Sequence, residues 1–546
     1  MLAFICGRHR LSQQPFILDE IRATRAEVAF ADDRNRIKTT HAMRLLSKSK
    51  LIAFRQCPKR LWLELHRPEL REDSAGTLVS FQVGHQVGDV AKRIYDPNRT
   101  GAAIDVKGEG YEAALARSTK LLAESRQPIF EAGFKAGGAL AFADIMLPAG
   151  KNGSPAWRMV EVKSSTSVKA YHRDDVAVQT FIAQEAGVKL ESIAVACIDS
   201  KWIYPGDENY QGLLAETDLT DEALARTEEV RGWLTEAQRV AALATEPEIA
   251  IGNHCHDPFD CGFCDYCSRG VVQPKYPVDW LPSLRASKRE QLTAAGVDDL
   301  RNVPDNLLNE RQRRVKHHTL DATVYFDAAG AAQDLAGHGL PAYFLDFETI
   351  QFAVPIWKGT RPYQQIPFQF SVHTLSVHGR LAQDAFLDLT GHDPSEPFAR
   401  ALIAACGTAG TIFVYNAGFE TARVSELARR YPKLTASLLA INERVVDLLP
   451  IARNRYYHPS QQGSWSIKVV LPAAVPELSY SSLDGVRDGA MAMAAYAEAV
   501  SPGADQTRRD QIRRQLLAYC RLDTFAMVRL WQVLSGRIGD QLKDVD

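Results

Sequence analysis

The spacing of apolar and polar residues divides the chain into stretches of different character. Residues 1–42 are polar, charged and only weakly periodic, which predicts a disordered tail or an extended start, with a short N-terminal helix as the alternative. Directly after Met43, the apolar spacing of RLLSKSKLIAFRQCPKRLWLELH predicts a helix. We therefore expect the folded protein to begin near Met43.

Between Leu45 and about Arg269, helical patterns alternate with short apolar runs. These runs predict strands at residues 138–147, 157–162 and 193–198. Alternation of this kind is typical of an α/β fold, and we assign residues 43–270 to a first α/β domain.

The rest of the chain predicts a connector and a second α/β domain. Residues 271–335 are charged and helical in pattern, which predicts a helical connector. The alternative is a small helix-hairpin-like contact to DNA. The strand AYFLDFETI then opens a domain that we place at residues 336–546, and we find no internal repeat and no low-complexity tract.

Composition narrows the function classes. With 546 residues, 46% hydrophobic and 24% charged, the chain has the make-up of globular domains with real cores. A net charge of -2 argues against coating nucleic acid by bulk charge, but metal-binding carboxylates would offset basic groups in a nuclease. No apolar run is long enough for a membrane helix, and the first residues are a poor signal peptide. We expect a cytoplasmic protein with no membrane partner.

Two predicted strands carry the first candidate site. Asp144 lies in ALAFADIMLP, and Glu161 and Lys163 lie on one face of WRMVEVKSST because strand side chains alternate. Asp144 and Glu161 could hold Mg²⁺ or Mn²⁺, and Lys163 could position water or stabilise developing charge. Two acids and a lysine on strands also fit an ordinary solvated face.

The surroundings of these strands favour the catalytic interpretation. His85 precedes them in FQVGHQVGDVAKRIY, and Gln179 follows them on a predicted amphipathic helix. The order His, Asp, Glu-x-Lys, Gln resembles the RecB-like branch of the PD-(D/E)XK nucleases. The resemblance implies a restriction-endonuclease-like fold and catalytic roles for His85 and Gln179.

Cysteines flank this region. Cys57 stands near its start, and HCHDPFDCGFCDYC closes it with Cys255, Cys261, Cys264 and Cys267. In a chain without an export signal, such a cluster predicts metal or iron–sulfur ligation rather than disulfides.

The arrangement is similar to that of the iron–sulfur nucleases related to the CRISPR-associated fourth protein. That resemblance implies a 4Fe–4S cluster on Cys57, Cys255, Cys261 and Cys267, with Cys264 as the alternative ligand. A Zn²⁺ site made by the four late cysteines alone, with Cys57 a buried thiol, is the other possibility.

The second candidate site contains more acids. In AYFLDFETI, alternation puts Asp346 and Glu348 on one side of a strand, where two carboxylates repel unless cations lie between them. Glu420 follows the next predicted strand at a helix start. Tyr519 and Asp523 are one turn apart on a later helix. This set suits two-metal phosphodiester hydrolysis, with Tyr519 orienting the attacking water.

The order D-x-E, N-x-G-F-E and Y-x-x-x-D resembles the DnaQ-like exonucleases of the RNase H fold, in their tyrosine-bearing (DEDDy) subclass. The resemblance implies 3′–5′ exonuclease activity, with Asp346, Glu348 and Asp523 holding metal. The family normally has Asp where this chain has Glu420, which puts the metal geometry in question. Asp447 could be a further acid, although a capping or structural role fits it better.

A basic and aromatic loop lies between these motifs. In WKGTRPYQQIPFQFSVH, Lys358, Arg361, Tyr363 and Phe368 could grip a phosphate backbone and stack on a base, or pack their rings into the core. Ser466 and Lys468 in SWSIKVVLP could likewise face substrate.

Taken together, residues from about 45 onward resemble a bacterial family that joins an iron–sulfur RecB-like nuclease to a C-terminal DnaQ-like domain. We expect a nuclease with two active sites that processes DNA, with single-stranded ends favoured. The alternatives are an iron–sulfur protein that binds nucleic acid through degenerate sites, and an RNA-directed exonuclease.

Overall fold

The computed structural model describes residues 44–150, 155–501, 503–537 and 543–544. The tail predicted at residues 1–42 lies outside them. The described residues form two compact units, and the α/β fold class is confirmed. The first unit comprises the described residues up to Trp202 together with Tyr210–Val271, and the second comprises Ile203–Asn209 and the described residues from Val272 onward. No helix in the described ranges has both the length and the apolar character needed to span a membrane.

The described part of the first unit is built around a seven-stranded mixed sheet. Its strands are β1 (Leu46–Ser47), β2 (Ala102–Ala103), β3 (Ile129–Ala136), β4 (Ala139–Pro148), β5 (Trp157–Lys163), β6 (Leu190–Ile198) and β7 (Leu214–Asp218). They lie in the order β2-β3-β4-β5-β6-β7, and β1 pairs in parallel with the start of β4. The strands predicted at 138–147, 157–162 and 193–198 are confirmed as β4, β5 and β6.

Helices cover both faces of this sheet. They are α1 (Lys48–Gln56), α2 (Pro58–His66), α3 (Ala75–Tyr95), α4 (Val106–Glu109), α5 (Tyr111–Glu124), α6 (Ala170–Glu185), α7 (Thr220–Ala225), α8 (Thr227–Ala241) and α9 (Cys264–Ser268). The larger core includes Leu51 of α1 and Phe181 of α6. A smaller one joins Ala91 of α3 to Val160. Since α6 connects the parallel strands β5 and β6, it lies directly over the first candidate site.

The single helix predicted after Met43 is wrong, because the segment forms β1 followed by two helices. Pro58 has no backbone N–H to donate, and its ring disfavours helical backbone at the residue before it. Cys57 accordingly adopts extended angles, φ −162° and ψ 120°, between α1 and α2. The break places the Cys57 side chain at a helix junction.

The described part of the second unit contains a six-stranded mixed sheet and a two-stranded one. Its strands are β8 (Tyr325–Phe326), β9 (Ala342–Ile350), β10 (Ile366–Leu375), β11 (Arg380–Leu387), β12 (Thr411–Val414), β13 (Val445–Asp447), β14 (Tyr456–Tyr457) and β15 (Lys543–Asp544). The large sheet has the order β13-β12-β9-β10-β11-β15, and β8 pairs with β14. The predicted strand AYFLDFETI is confirmed as β9, which is central.

The described part of this unit has ten helices, and helices pack on both faces of the large sheet. They are α10 (Ala286–Ala294), α11 (Glu310–Leu320), α12 (Ala328–Leu335), α13 (Ser395–Cys406), α14 (Gly418–Arg430), α15 (Thr435–Asn442), α16 (Leu448–Arg455), α17 (Ile467–Ala474), α18 (Gly489–Ala499) and α19 (Gln506–Ser535). Phe344 of β9 packs against Trp531 of α19 on one face, and Phe347 packs against Phe398 of α13 on the other.

The predicted connector has a small core of its own and packs closely on a later loop. The core includes Val278, Leu292 and Leu300. In the loop, Gly463 has a φ of 78°, and a Cβ there would lie 1.7 Å from the Trp280 carbonyl oxygen. Only glycine fits this contact, because the obstructing atom belongs to the backbone.

Candidate metal centres

β9 carries two acids beyond the point where its neighbour β12 stops pairing. β12 pairs with β9 only through Ala342, Tyr343 and Phe344. Asp346 and Glu348 therefore follow on the half of the strand that β12 leaves uncovered. Because side chains alternate, both point to the face on which Phe344 meets α19.

Buried polar contacts fix the rotation of α19 on this sheet. Gln369 Nε2 of β10 donates a hydrogen bond of 2.7 Å to the Leu516 carbonyl. The Thr524 hydroxyl lies 2.9 Å from Ser371 Oγ and 2.8 Å from His373 Nδ1. These buried contacts favour one rotation of the helix, because a shift that broke them would leave buried polar groups unpaired, at a cost in free energy.

This arrangement turns Tyr519 and Asp523, one helical turn apart, toward β9. One carboxylate oxygen from each of Asp346, Glu348 and Asp523 lies within 4.8 Å of the other two. Three hard oxygen donors so close together form a possible site for a divalent cation.

Two further side chains complete the surroundings of Asp523 and Tyr519. The Tyr480 hydroxyl donates a 2.5 Å hydrogen bond to Asp523 Oδ1. Lys468 Nζ donates to the Tyr519 hydroxyl at 3.0 Å and to the Arg487 carbonyl at 3.0 Å. The sequence marked Lys468 only as a residue that could face substrate. It gave no signal for Tyr480, which lies in a short 3₁₀ turn.

The pKa values of the acids show an excess of buried negative charge. Burial, together with the charges of Asp523 and Glu348, raises the pKa of Asp346 well above its usual range. Burial and then Asp523 raise the pKa of Glu348 to about 8. Burial raises the pKa of Asp523 to about 6, although the hydrogen bond from Tyr480 opposes the shift. A cation between these groups would relieve both the burial penalty and the repulsion.

Glu420 lies in the first turn of α14 but outside the group of three. Its side chain is buried, and its Oε2 atom has no hydrogen-bond partner among the described residues. Burial raises the pKa of Glu420 to about 8. Its charge contributes to the raised pKa of Asp346, so the two carboxylates lie close enough to interact electrostatically. An unpartnered buried oxygen fits a fourth donor that is satisfied only when a cation is bound.

Asp447 has the structural role that the sequence favoured. Its carboxylate accepts hydrogen bonds from the backbone N–H groups of Asn416 at 2.8 Å, Ala417 at 3.1 Å and Leu449 at 2.9 Å. It thereby fixes the turn that leads into α14, where Asn416 has a left-handed φ of 77°. This turn sets the position of Glu420.

The basic and aromatic loop follows β9 directly. Lys358 and Arg361 are exposed and Tyr363 is half-buried. Phe368 is buried in β10 and stacks on Tyr496, with ring centroids 4.1 Å apart. Phe368 is thus a core residue, whereas Lys358 and Arg361 stay accessible to a ligand.

The first unit brings together Glu161, Lys163 and Gln179, as the sequence suggested. Lys163 Nζ donates to Glu161 Oε1 at 2.7 Å, and Gln179 Nε2 donates to Glu161 Oε2 at 2.7 Å. Asp144 Oδ2 accepts a 2.7 Å hydrogen bond from the backbone N–H of Val162, so it lies beside the same strand.

Two members of this cluster were missed. Lys48, at the start of α1, donates to Glu161 Oε1 at 2.9 Å and lies 3.1 Å from Asp175 Oδ1. Asp175, one turn before Gln179 on α6, also pairs with Lys163 at 2.5 Å. The spacing of Asp175 and Gln179 was available in the sequence, but the approach of Lys48 depends on how α1 packs.

The charges in this cluster largely balance. Burial alone would raise the pKa of Glu161, but Lys163 and Lys48 more than offset it and lower that pKa. Burial, with the charge of Glu161, raises the pKa of Asp144 to about 8. The two ammonium groups thus already neutralise part of the acid set.

The sequence also assigned His85 to this site. It is exposed on α3, and in the described ranges no hydrogen bond or ion pair joins it to Asp144, Glu161 or Lys163. The carboxylates that the sequence proposed as metal donors here are Asp144 and Glu161, fewer than the three that converge around β9. They fit a divalent cation by donor chemistry and by the mutual influence of their charges.

The five candidate cysteines line one cavity in the first unit. They are Cys57, Cys255, Cys261, Cys264 and Cys267. Burial raises the pKa of Cys267 to about 11, with opposing influence from Lys59 and further raising by Cys261, Cys255 and Cys57. Thiols close enough to influence each other's ionisation, beside the cations Lys59 and Arg60, are a donor set suited to a thiophilic metal.

Hydrogen bonds hold the late cysteine segment against the first helices. Gln56 Nε2 donates to the carbonyls of His254 at 2.8 Å and Phe259 at 2.6 Å. Lys59 Nζ lies 3.1 Å from Glu246 Oε1. The other oxygen of the Glu246 carboxylate accepts a hydrogen bond from the Tyr266 hydroxyl. Residues near 57 and near 260 are therefore joined even without a metal.

Part of the second unit matches a known family of protein domains. Residues 343–466 match the family described as a domain of unknown function (DUF2779). This segment contains Asp346, Glu348 and Glu420 and ends before Tyr519 and Asp523. No curated protein matches the chain.

Proposed function

We propose that this protein is a metal-dependent nuclease that hydrolyses phosphodiester bonds at the carboxylate cluster on β9 and α19. The observation that carries the proposal is the convergence of Asp346, Glu348 and Asp523 within 4.8 Å. A hydroxyl and an ammonium group, from Tyr519 and Lys468, lie beside them. Buried acids with raised pKa values are concentrated at functional sites.

The residues around the cluster have distinct tasks in such a reaction. A bound divalent cation would polarise the phosphate and lower the pKa of a bound water. Burial and the nearby acids raise the pKa of Tyr519, so its hydroxyl stays protonated and can orient a water. Lys468 holds that hydroxyl in place, and its positive charge would favour the negative charge that develops on phosphate.

Tyr519→Phe tests this proposal. The wild type is expected to digest end-labelled DNA or RNA with Mg²⁺ or Mn²⁺, releasing label from the 3′ end first if the DnaQ resemblance holds. Loss of the orienting hydroxyl should slow digestion at this site roughly 10²-fold, the lower part of the range for positioned proton-handling groups. The measurement is the rate of product release on 3′- and 5′-labelled strands.

Tyr496→Phe is the matched control, because the Tyr496 hydroxyl is buried with no hydrogen-bond partner among the described residues. Equal digestion rates for Tyr519→Phe and Tyr496→Phe would show that the Tyr519 hydroxyl has no role in the reaction. No digestion of either polymer by the wild type, over a range of salt, would contradict the nuclease proposal.

We further propose that the first unit holds a second hydrolytic site at Asp144 and Glu161 and a 4Fe–4S cluster on Cys57, Cys255, Cys261 and Cys267. The Glu161–Lys163 contact supports the first, and the shared cavity supports the second. Thiolate ligands suit both an iron–sulfur cluster and Zn²⁺, so the metal must be identified chemically.

Cys57→Ser is expected to lower bound iron and inorganic sulfide to a small fraction of the wild-type content, because one of four ligands is lost. Iron, sulfide and zinc would be measured on anaerobically purified full-length protein. Cys197→Ala, a buried thiol of β6, is the control and should keep its metal. One zinc that is retained in Cys57→Ser would instead assign the site to the late cysteines alone.

A second function is favoured by one observation, the position of Glu420 outside the three-acid group. If the fourth donor cannot reach a cation, the chain would bind nucleic acid without cleaving it. Tight binding of oligonucleotides with no turnover, unchanged in Asp346→Ala, would support this alternative over the nuclease.

A further inference from the structure

A polar cleft opens in the second unit, beside the segments that carry Asn416 and Ser466. Its volume is about 450 Å³, within the range of roughly 300–1,000 Å³ in which small ligands bind. The connector contributes one wall, and α16 together with the turns before α14 and α17 contributes the other. The residues that matter here are Ser283, Arg311, Tyr415, Asn416, Arg453 and Ser466.

Two half-buried arginines, Arg311 and Arg453, line this cleft. Arg311 donates a 3.0 Å hydrogen bond to Asn454 Oδ1. Within the described ranges neither Arg311 nor Arg453 forms an ion pair. Burial and the positive charge of Arg453 lower the pKa of Arg311 from its ordinary value. By contrast, the neighbouring Arg455 is paired with both Asp327 and Asp334.

Two like charges held close repel each other, and an anion bound between them would relieve that repulsion. Guanidinium groups present several N–H donors in a plane and match the oxygens of a phosphate better than an ammonium group does. A cleft of this kind therefore suits an anion with phosphate geometry.

The cleft is continuous with the chain segments that form the carboxylate cluster. Asn416 stands four residues before Glu420, and Ser466 stands two residues before Lys468. The Tyr415 hydroxyl donates to the Trp465 carbonyl at 2.7 Å, which ties these two segments together. A ligand in the cleft would therefore touch the same turns that position the catalytic groups.

We propose that Arg311 and Arg453 bind a phosphodiester group of the strand whose end lies at the Asp346–Asp523 cluster. This inference rests on the proposed nuclease function and adds to it a site for the strand away from the cleaved bond. It also gives the connector a part in holding substrate.

The test compares Arg453→Gln and Arg311→Gln with Arg400→Gln in the full-length protein. Arg400 is exposed and, among the described residues, pairs with Glu396 alone, so it is a charge-matched control. Steady-state digestion would be measured on a long single strand and on a dinucleotide, each as DNA and as RNA. Affinity for the long strand would be measured with Ca²⁺ replacing Mg²⁺, over a range of salt concentrations.

On the long strand, each cleft variant is expected to raise KM roughly ten-fold with kcat unchanged, as for the loss of one charge-assisted hydrogen bond. The slope of log affinity against log salt concentration should become shallower by about the amount expected for the loss of one phosphate contact. Digestion of the dinucleotide should not change. Arg453→Lys, which keeps the charge, should recover much of the salt dependence.

Three outcomes would overturn the inference. The first is that the cleft variants have the same KM on the long strand as Arg400→Gln, while the wild type digests that strand normally. Another is an equal rise in KM on strand and dinucleotide, which would place the arginines at the cleaved group itself. If the wild type digests nothing, the nuclease proposal fails by itself. In that case, oligonucleotide affinity and salt dependence that are unchanged in the variants would separately overturn the proposal that the cleft binds the strand.

Discussion

Asp346→Asn is expected to abolish digestion at the C-terminal site and, without divalent cations, to stabilise the protein. The amide keeps the shape of the carboxylate but cannot carry its charge. Activity should fall roughly 10³-fold or more, since a central donor to the reaction is lost. Stability should rise because Asp346 lies in a buried cluster where its ionised form is disfavoured by burial, Asp523 and Glu348.

The stabilisation should depend on pH in a defined direction. A carboxyl whose folded pKa is raised binds its proton more tightly in the folded state than in the unfolded state. Stability is therefore lost as pH rises through the window between the unfolded and folded values. For Glu348 that window runs from 4.5 to about 8, and for Asp523 from 3.8 to about 6. Asp346→Asn should gain little near pH 4 and about 2 kcal/mol near pH 8.

Chemical unfolding in chelator, followed across this pH range, measures the gain. Asp384→Asn is the control, because Asp384 is exposed on β11 in the same sheet and should leave both stability and activity unchanged. Mg²⁺ or Mn²⁺ should stabilise the wild type and stabilise Asp346→Asn much less, since a ligand that binds only the folded state adds to its stability. A variant that is destabilised in chelator at every pH would contradict the account of a strained, cation-seeking cluster.

The strands that carry the acids were readable from sequence, because their signal is local. The buried run of β9 and the alternation of Asp346 and Glu348 need only neighbouring residues to be recognised. The same holds for Tyr519 and Asp523, one turn apart on a long amphipathic helix. The single helix predicted after Met43 was wrong because the apolar spacing continues across Pro58, although the helix breaks at Cys57.

What the sequence could not supply is the convergence of distant segments. Tyr480 reaches Asp523 from a short turn that has no periodic pattern. Lys48 reaches Glu161 across more than a hundred residues, because β1 pairs with β4 and carries the start of α1 toward β5. Arg311 and Arg453 share a cleft because the connector packs on the loop containing Gly463. Each of these contacts depends on sheet order or loop packing, which no single-sequence pattern specifies.

The two carboxylate clusters differ in how their charge is balanced. Around β9 the nearest cation, Lys468, binds the Tyr519 hydroxyl instead of a carboxylate. Around β5, Lys48 and Lys163 both contact Glu161 directly. The first cluster should therefore be relieved by loss of an acid, whereas the second should be disrupted by it.

Glu161→Gln is accordingly expected to destabilise the first unit by about 3 kcal/mol at neutral pH, as when one partner of a buried ion pair is removed. Glu161 is 2% exposed, and its oxygens accept from Lys48, Lys163 and Gln179. Its folded pKa is lowered, so its contribution is present above the unfolded value of 4.5 and is lost as pH falls. Hydrogen exchange of the β5 amides measures the loss locally, and it should shrink in acid.

The control for Glu161→Gln is Glu236→Gln, which removes an exposed pair with Arg239 and should have no measurable effect, because surface ion pairs contribute little. Combining Glu161→Gln with Lys48→Met should recover part of the lost stability, since the second change removes one of the two ammonium groups that would otherwise share Asp175. If the double variant is no more stable than Glu161→Gln, Lys48 is not coupled to Glu161. If Glu161→Gln stabilises the protein, as expected for Asp346→Asn, the acids of the first unit are also held together only by a bound cation.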